Sequence, residues 1–215
     1  MFDQAYFDRW YRHPGRRVKS PAELRREVAM VVSVAELVIG RAVRSVVDVG
    51  CGEGQWYPAL RRLRPVIRYT GVDSSEYVIK RFGARRHIRQ GTIGALDALG
   101  LAGPFDLIVC SGVLNYLTAA EFERGLGHVT ALLGGVAYLE LFTSADTVTG
   151  DTRFASRRSV RWYRDALRRA GLVACGMHCY VTSANAEQSL AALEALGAPP
   201  RRSPRSRRAP AGRRA

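Results

Sequence analysis

Val46-Val47-Asp48-Val49-Gly50-Cys51-Gly52-Glu53-Gly54-Gln55-Trp56 is the stretch that decides the fold. Its first four residues are β-branched and apolar apart from one acid, the composition of a strand buried on both faces of a parallel sheet. Glycine then recurs at Gly50, Gly52 and Gly54, and Trp56, Leu60 and Leu63 follow at helical spacing. Strand, glycine turn and helix together bring backbone N–H groups and a helix N-terminus against an anionic or polar ligand. Glycine suits such a turn because it accepts positive φ and lets a ligand approach the backbone.

Upstream, Ser20-Pro21-Ala22-Glu23 is a helix start, with a capping serine, proline at the first helical position and a glutamate that closes a capping box. Leu24, Val28, Val31, Ala35 and Val38 mark one face, and Gly40 ends the helix. Before it, Phe2, Tyr6 and Trp10 recur at a spacing of four, which predicts a short helix, either packed on the body or serving as a lid over a ligand. Downstream, the pattern predicts strands over Val66–Val72, Arg86–Arg89, Phe105–Cys110, Val136–Phe142 and Leu172–Val181. Between them it predicts helices from Ser74 or Ser75 to Phe82 with Gly83 as the stop, from a Thr118–Glu121 capping box to Leu133, and from Ser159 to Gly171, with a last helix over Asn185–Leu196. The polar stretch Thr143–Arg158 reads as a long loop of the kind that carries function. Alternating strands and helices predict an α/β fold with a doubly wound, mainly parallel sheet. Ligands then bind outside the carboxyl ends of the strands, which here are Gly50, Asp73, Gly91-Thr92, Cys110-Ser111 and Glu140-Leu141.

The chain has 215 residues and a net charge of +14. Half of that excess is seven arginines, Arg201, Arg202, Arg205, Arg207, Arg208, Arg213 and Arg214, in a Pro- and Arg-rich tail that lacks apolar periodicity. Such a tail is expected to be disordered. The organisation expected is an aromatic lid segment at 1–20, one domain at 21–198 and the tail at 199–215. Lysine occurs only at Lys19 and Lys80, so arginine is the general surface cation and the charge reads as a solvated face rather than a nucleic-acid surface. The longest apolar stretch, Val28–Ile39, contains Ser33 and Glu36 and falls short of the ~20 residues of a membrane span. Residues 1–10 lack the basic start and apolar run of a secretory signal, and Cys51, Cys110, Cys175 and Cys179 show no C-x-x-C pairing. Reduced thiols, a cytoplasmic location and no metal site are the expectation.

The glycine spacing is G-x-G-x-G, not the G-x-G-x-x-G of dinucleotide sites. With Asp48 before it, the stretch resembles the first motif of class I S-adenosylmethionine-dependent methyltransferases of the small-molecule type. Tyr69-Thr70-Gly71-Val72-Asp73-Ser74-Ser75 resembles the second motif, Gln90-Gly91-Thr92-Ile93 falls where that family reads adenine, and Phe105-Asp106-Leu107-Ile108-Val109-Cys110-Ser111-Gly112-Val113-Leu114-Asn115-Tyr116-Leu117 resembles the fourth. The resemblance implies S-adenosyl-L-methionine as cofactor. Asp48, Gly50, Cys51, Gly52 and Gly54 would cradle its methionine portion, Asp73 with Ser74 its ribose, and Thr92 and Ile93 its adenine. Ser111, Gly112 and Val113, with Asn115 and Tyr116, would flank the methyl group. The family usually carries an acid where this chain has Thr92, and usually ends in an antiparallel hairpin. Only Leu172–Val181 is legible here, so a truncated hairpin is expected.

The chemistry expected is in-line displacement at a sulfonium methyl, in which the protein mainly positions and desolvates. Glu140, at a strand end, suits either a substrate-facing base or a salt-bridged acid, and Tyr116 and His13 are further catalytic candidates. Asp48 and Asp73 also suit plain helix caps. The fourth motif lacks the proline pair of amino-methylating nucleic-acid enzymes, Cys110 ends a buried strand rather than following proline, and neither lysine falls at a strand end as 2′-O enzymes require. A small-molecule acceptor methylated on O or N is the reading these absences favour. The alternatives are an RNA or protein methyltransferase using the basic surface and tail, and a non-catalytic cofactor-binding module.

Overall fold

The computed structural model of the chain describes residues 2–151 and 155–191. The Arg/Pro-rich tail and the end of the last predicted helix lie outside these residues. The central strand β1 (Ser45–Val49) is buried along its whole length. It pairs in parallel with β2 (Arg68–Asp73) on one side and β4 (Phe105–Cys110) on the other. Parallel pairing continues outward to β3 (Ile88–Gln90) beyond β2 and to β5 (Leu133–Leu139) beyond β4. Two antiparallel strands, β7 (Cys179–Thr182) and β6 (Leu172–Gly176), complete the order β3-β2-β1-β4-β5-β7-β6.

The terminal hairpin is therefore present, which corrects the expected truncation. The run Leu172–Val181 reads as one strand because it contains no turn dipeptide. Its turn is made by Met177 and His178 at φ 50° and 60°, a left-handed conformation that neither residue type signals.

The helices lie on both faces of the sheet. Helix α2 (Pro21–Ile39) begins at the expected capping box, with Ser20 and Glu23 bonded reciprocally, and packs Val28, Val31, Val32 and Ala35 inward. On the same face, α3 (Trp56–Leu63) and α7 (Ser183–Ser189) add Trp56, Leu60 and Ala186 to one core layer. The opposite layer holds α5 (Ala119–Leu132) and α6 (Val160–Arg169), through Phe122, Leu126, Val129, Tyr163 and Leu167. Helix α4 (Glu76–Arg86), capped by Ser75, runs past Gly83 and stops at His87, which is left-handed at φ 53°. Gly83 stays helical because only a small residue fits there: a Cβ would lie 3.3 Å from the Ile88 carbonyl oxygen.

The aromatic segment at the N-terminus forms a strap. Helix α1 (Gln4–Phe7) passes into a wider π-type turn over Asp8–Arg12. The spacing of four therefore breaks, and the anchoring residue is Phe7, not the expected stripe of Phe2, Tyr6 and Trp10. Phe7 is 2% exposed, in a small cluster with Cys51, Val78, Phe82 and Ile88, and stacks on Tyr77 at 5.7 Å. The Arg12 guanidinium bonds both Asp8 and Glu53, and the Ser75 hydroxyl donates to the Phe2 carbonyl. The strap is thus fastened to the glycine loop and to the start of α4.

Candidate active site

The carboxyl ends of β1, β2 and β4 converge on the glycine loop. Gly50 and Cys51 both donate their N–H to the Val72 carbonyl, at 2.7 and 3.1 Å, which folds the loop back over β2. Gly50 stands at φ 68°, and a Cβ there would lie 2.2 Å from Val113 Cγ2. Backbone conformation and space thus both demand glycine. Gly52 at φ 53° lies under Phe7 of the strap. Gly54, at φ 72°, turns the chain towards α3 and packs on Ile88 and Arg86.

Asp73 ends β2 with both oxygens engaged: Oδ2 accepts from Gly52 N–H at 2.8 Å and Oδ1 from Ser75 N–H at 2.9 Å. Burial raises its pKa, and the backbone N–H groups of Ser75, Gly52 and Ser74 oppose the rise. With about four lone-pair sites, the carboxylate keeps capacity to accept from a ligand. Asp48 is 2% exposed and takes one hydrogen bond, from the Tyr69 hydroxyl at 2.8 Å on Oδ2. Burial, with the charge of Asp73 behind it, raises Asp48 to about 7, against the pull of Tyr69. Asp48 caps no helix: α3 starts at Trp56 with no side-chain cap.

Two cavities open on this convergence. One, of ≈ 230 Å³, is bounded by Gly52, Asp73, Ser74, Thr92, Ile93 and Val113. The other, of ≈ 330 Å³, is bounded by Asp48, Cys51, Ser111 and Glu140 and walled by Trp10, Trp56 and Phe142. Gly50, Gly112, Tyr6, Tyr11 and Tyr116 border both, so the cavities meet at a neck roofed by the strap. Burial raises the phenols of Tyr6, Tyr11 and Tyr116 above their usual range. Tyr116 donates to the Asp151 carbonyl, tying the neck to the loop over 143–151.

Of the residues expected from sequence, all the cofactor candidates except Gly54 line one cavity or both, as do Glu140 and Tyr116. His13 does not: it is exposed on the outer turn of the strap, with Nδ1 accepting from Gly15 N–H. Asn115 reaches the larger cavity with its amide already used, donating to the Phe142 carbonyl and the Tyr163 hydroxyl and accepting from Phe142 N–H. It clamps the segment that follows β5, at Phe142.

Sequence reading missed Lys19. Its ammonium lies 2.7 Å from Glu27 Oε1, 2.7 Å from Glu140 Oε1 and 3.4 Å from Ser111 Oγ. Ser111 donates to Glu140 Oε2 at 2.6 Å, and Tyr138 donates to Glu27 at 2.6 Å. Glu140 is therefore the salt-bridged acid of the two roles expected for it. Lys19 gave no signal because it precedes a helix and belongs to no strand end; only the path of the strap brings it to one.

These geometries accord with the comparisons. Residues 47–136 match the family model described as a methyltransferase domain. The fold matches an S-adenosylmethionine-bound amino pentose methyltransferase from Micromonospora echinaspora, 19% identical, over 73% of this chain and 85% of that one, with a TM-score of 0.57. A sugar N-methyltransferase from Streptoalloteichus sp matches at 20% identity and a TM-score of 0.57, over 75% of this chain and 82% of that one. Magnesium protoporphyrin IX methyltransferase from Synechocystis matches at 18% identity and a TM-score of 0.54, over 80% and 84%. At such identities the likeness establishes a shared Rossmann-like methyltransferase fold. An uncharacterized protein from Synechococcus sp. is 29% identical over 115 residues, 50% of this chain and 27% of its own length. The chain thus spans about a quarter of that curated relative's length. Among the described residues, no helix is long and apolar enough to cross a membrane.

Proposed function

We propose that the protein transfers a methyl group from S-adenosylmethionine to an O or N atom of a small-molecule acceptor. The observation that carries this reading is the pair of cavities joined at one neck, with Asp73 in the smaller and aromatic walls in the larger. The residues present fit the cofactor. Asp73 retains acceptor capacity for the ribose, Ile93 offers a buried apolar contact for the base, and among the described residues the second oxygen of Asp48 has no protein donor. The Gly50–Gly52 turn leaves backbone space where a side chain would collide.

When bound, the cofactor supplies an electrophilic methyl on a positively charged sulfur. The protein's own residues hold and desolvate. Asp73 and the loop fix the nucleoside, Asp48 faces the amino-acid end, and Tyr6, Tyr11 and Tyr116 exclude water from the neck. Aligning donor and acceptor in a dry site supplies most of the rate in such a displacement. The acceptor's lone pair forms the new bond to carbon, the carbon–sulfur pair leaves with the sulfur, and the acceptor's proton is lost to water. A cavity of ≈ 330 Å³ under a fastened strap suits a small molecule.

The deciding experiment incubates the full chain with methyl-labelled cofactor and, in parallel, with small-metabolite, RNA and protein fractions. Label is expected in the small-metabolite fraction. Label confined to RNA or protein would overturn the acceptor class, and no label in any fraction would favour a non-catalytic cofactor-binding module.

A further inference from the structure

The larger cavity has a charge imbalance on its floor. Glu140 and Asp48 stand at the ends of β5 and β1, with Ser111 of the intervening strand end between them. Glu27 joins them from α2. Glu27 and Glu140 thus share one ammonium, that of Lys19, which also contacts Ser111, while Asp48 is left for the cofactor's amino-acid end. Asp151 and Arg157, one of each charge, also line the cavity. Glu140 is 8% exposed and Asp48 2%, so water does little to screen the surplus. Trp10, Trp56 and Phe142 present aromatic surfaces above this floor. Buried surplus anion beneath aromatic rings is the setting that stabilises an organic ammonium.

We propose that the larger cavity recognises an amine: the acceptor is a small molecule that presents a protonated primary or secondary amine to Glu140, with its ring or apolar body against the aromatic walls. Lys19 and Ser111 position Glu140 for this contact. Lys19 bridges Glu140 and Glu27 without neutralising the whole cluster. The Ser111 hydroxyl fixes Oε2, so the carboxylate cannot rotate away. Acceptors that present a carboxylate or phosphate at this point are repelled. This proposal rests on reading the cavity as the acceptor site, and it deepens that reading by naming the acceptor's chemical class.

The test uses two probes of the same length and opposite charge, phenethylamine and 3-phenylpropionate. They are titrated into the full chain with and without S-adenosylhomocysteine at pH 8, and the emission of Trp10 and Trp56 is followed. At that pH Asp48, raised to about 7 by burial, is largely ionised. The ammonium probe is expected to bind at least about tenfold more tightly than the carboxylate probe, the scale of one weakly screened charge contact. Glu140→Gln is expected to reduce that preference to within about threefold, and Lys19→Met to increase it. Equal binding, a preference for the carboxylate, no binding of either probe, or a preference that Glu140→Gln leaves intact would overturn the proposal. Thermal stabilisation by S-adenosylhomocysteine, measured on the same samples, reads the cofactor site separately. If that stabilisation is absent while the ammonium preference stands, the methyl-transfer reading has failed and the amine pocket has not.

Discussion

Asp48 is a buried carboxyl group that faces a cavity. Its pKa rises to about 7 because burial penalises the anion. The folded protein therefore binds a proton that the unfolded chain releases near the ordinary aspartate value. Between about pH 4 and 7 the folded state holds more protons, so this group's contribution to stability falls as pH rises and is flat above 7. Asp48→Asn removes that dependence. The stability difference between variant and parent, from urea denaturation, is expected to grow in the variant's favour by on the order of 2–4 kcal/mol between pH 4 and 7. A constant difference across that range would mean that Asp48 is ionised throughout. Gly50 makes a steric argument instead. With φ at 68° and Val113 Cγ2 2.2 Å from a modest added carbon, Gly50→Ala is expected to destabilise the fold by at least about 2 kcal/mol. The readout is a lower thermal midpoint together with lost affinity for S-adenosylhomocysteine. At this scale the sequence was legible wherever a side chain or a glycine acts through its own strand end, as Gly50 and Asp73 do. It was illegible where the partner comes from far along the chain. Nothing near Glu140 announces Lys19, and nothing near Asp48 announces Tyr69, because both pairings are made by tertiary approach.

Among the elements, those with their own punctuation were read correctly: the boxes at Ser20–Glu23 and Thr118–Glu121 cap α2 and α5 as expected. The errors fall where the chain changes state without a turn residue. Leu132 ends α5 and Leu133 begins β5, so this strand starts before the Gly134-Gly135 pair that was expected to lead into it. The strand pairing of Leu133 with Phe105 sets that boundary, and no local pattern records it. The strap carries the prediction for this scale. Phe7 is its deepest anchor, wedged between Cys51, Tyr77 and Val78. Phe7→Ala is expected to raise amide hydrogen exchange through residues 3–12 and to weaken S-adenosylhomocysteine at least about fivefold. The thermal midpoint of the unliganded protein should move by only a few degrees, because such anchors belong to a locally opening unit. Exchange that rises equally throughout the sheet would show the strap to be part of the global core.

Among the described residues, seven strands and the layers on either face frame one crevice at the point where strand order reverses, between β1 and β4. A ligand that binds only this assembled crevice stabilises the folded state by mass action. S-Adenosylhomocysteine at 100 times its dissociation constant is expected to add about 2.7 kcal/mol, which for a chain of this size raises the midpoint by about 5–10 °C. No shift at saturating concentrations would remove the cofactor reading.

The strap has a kinetic consequence. Tyr6 and Tyr11 border the cofactor-side cavity and the acceptor-side cavity alike, and the segment that carries them is fastened at Phe2, Phe7, Arg12 and Lys19. On the proposed transfer, spent cofactor is expected to leave by the same opening event that frees the methylated product, and turnover at saturation to follow the rate at which those fastenings release. Acceptors of quite different reactivity would pass through at one common rate.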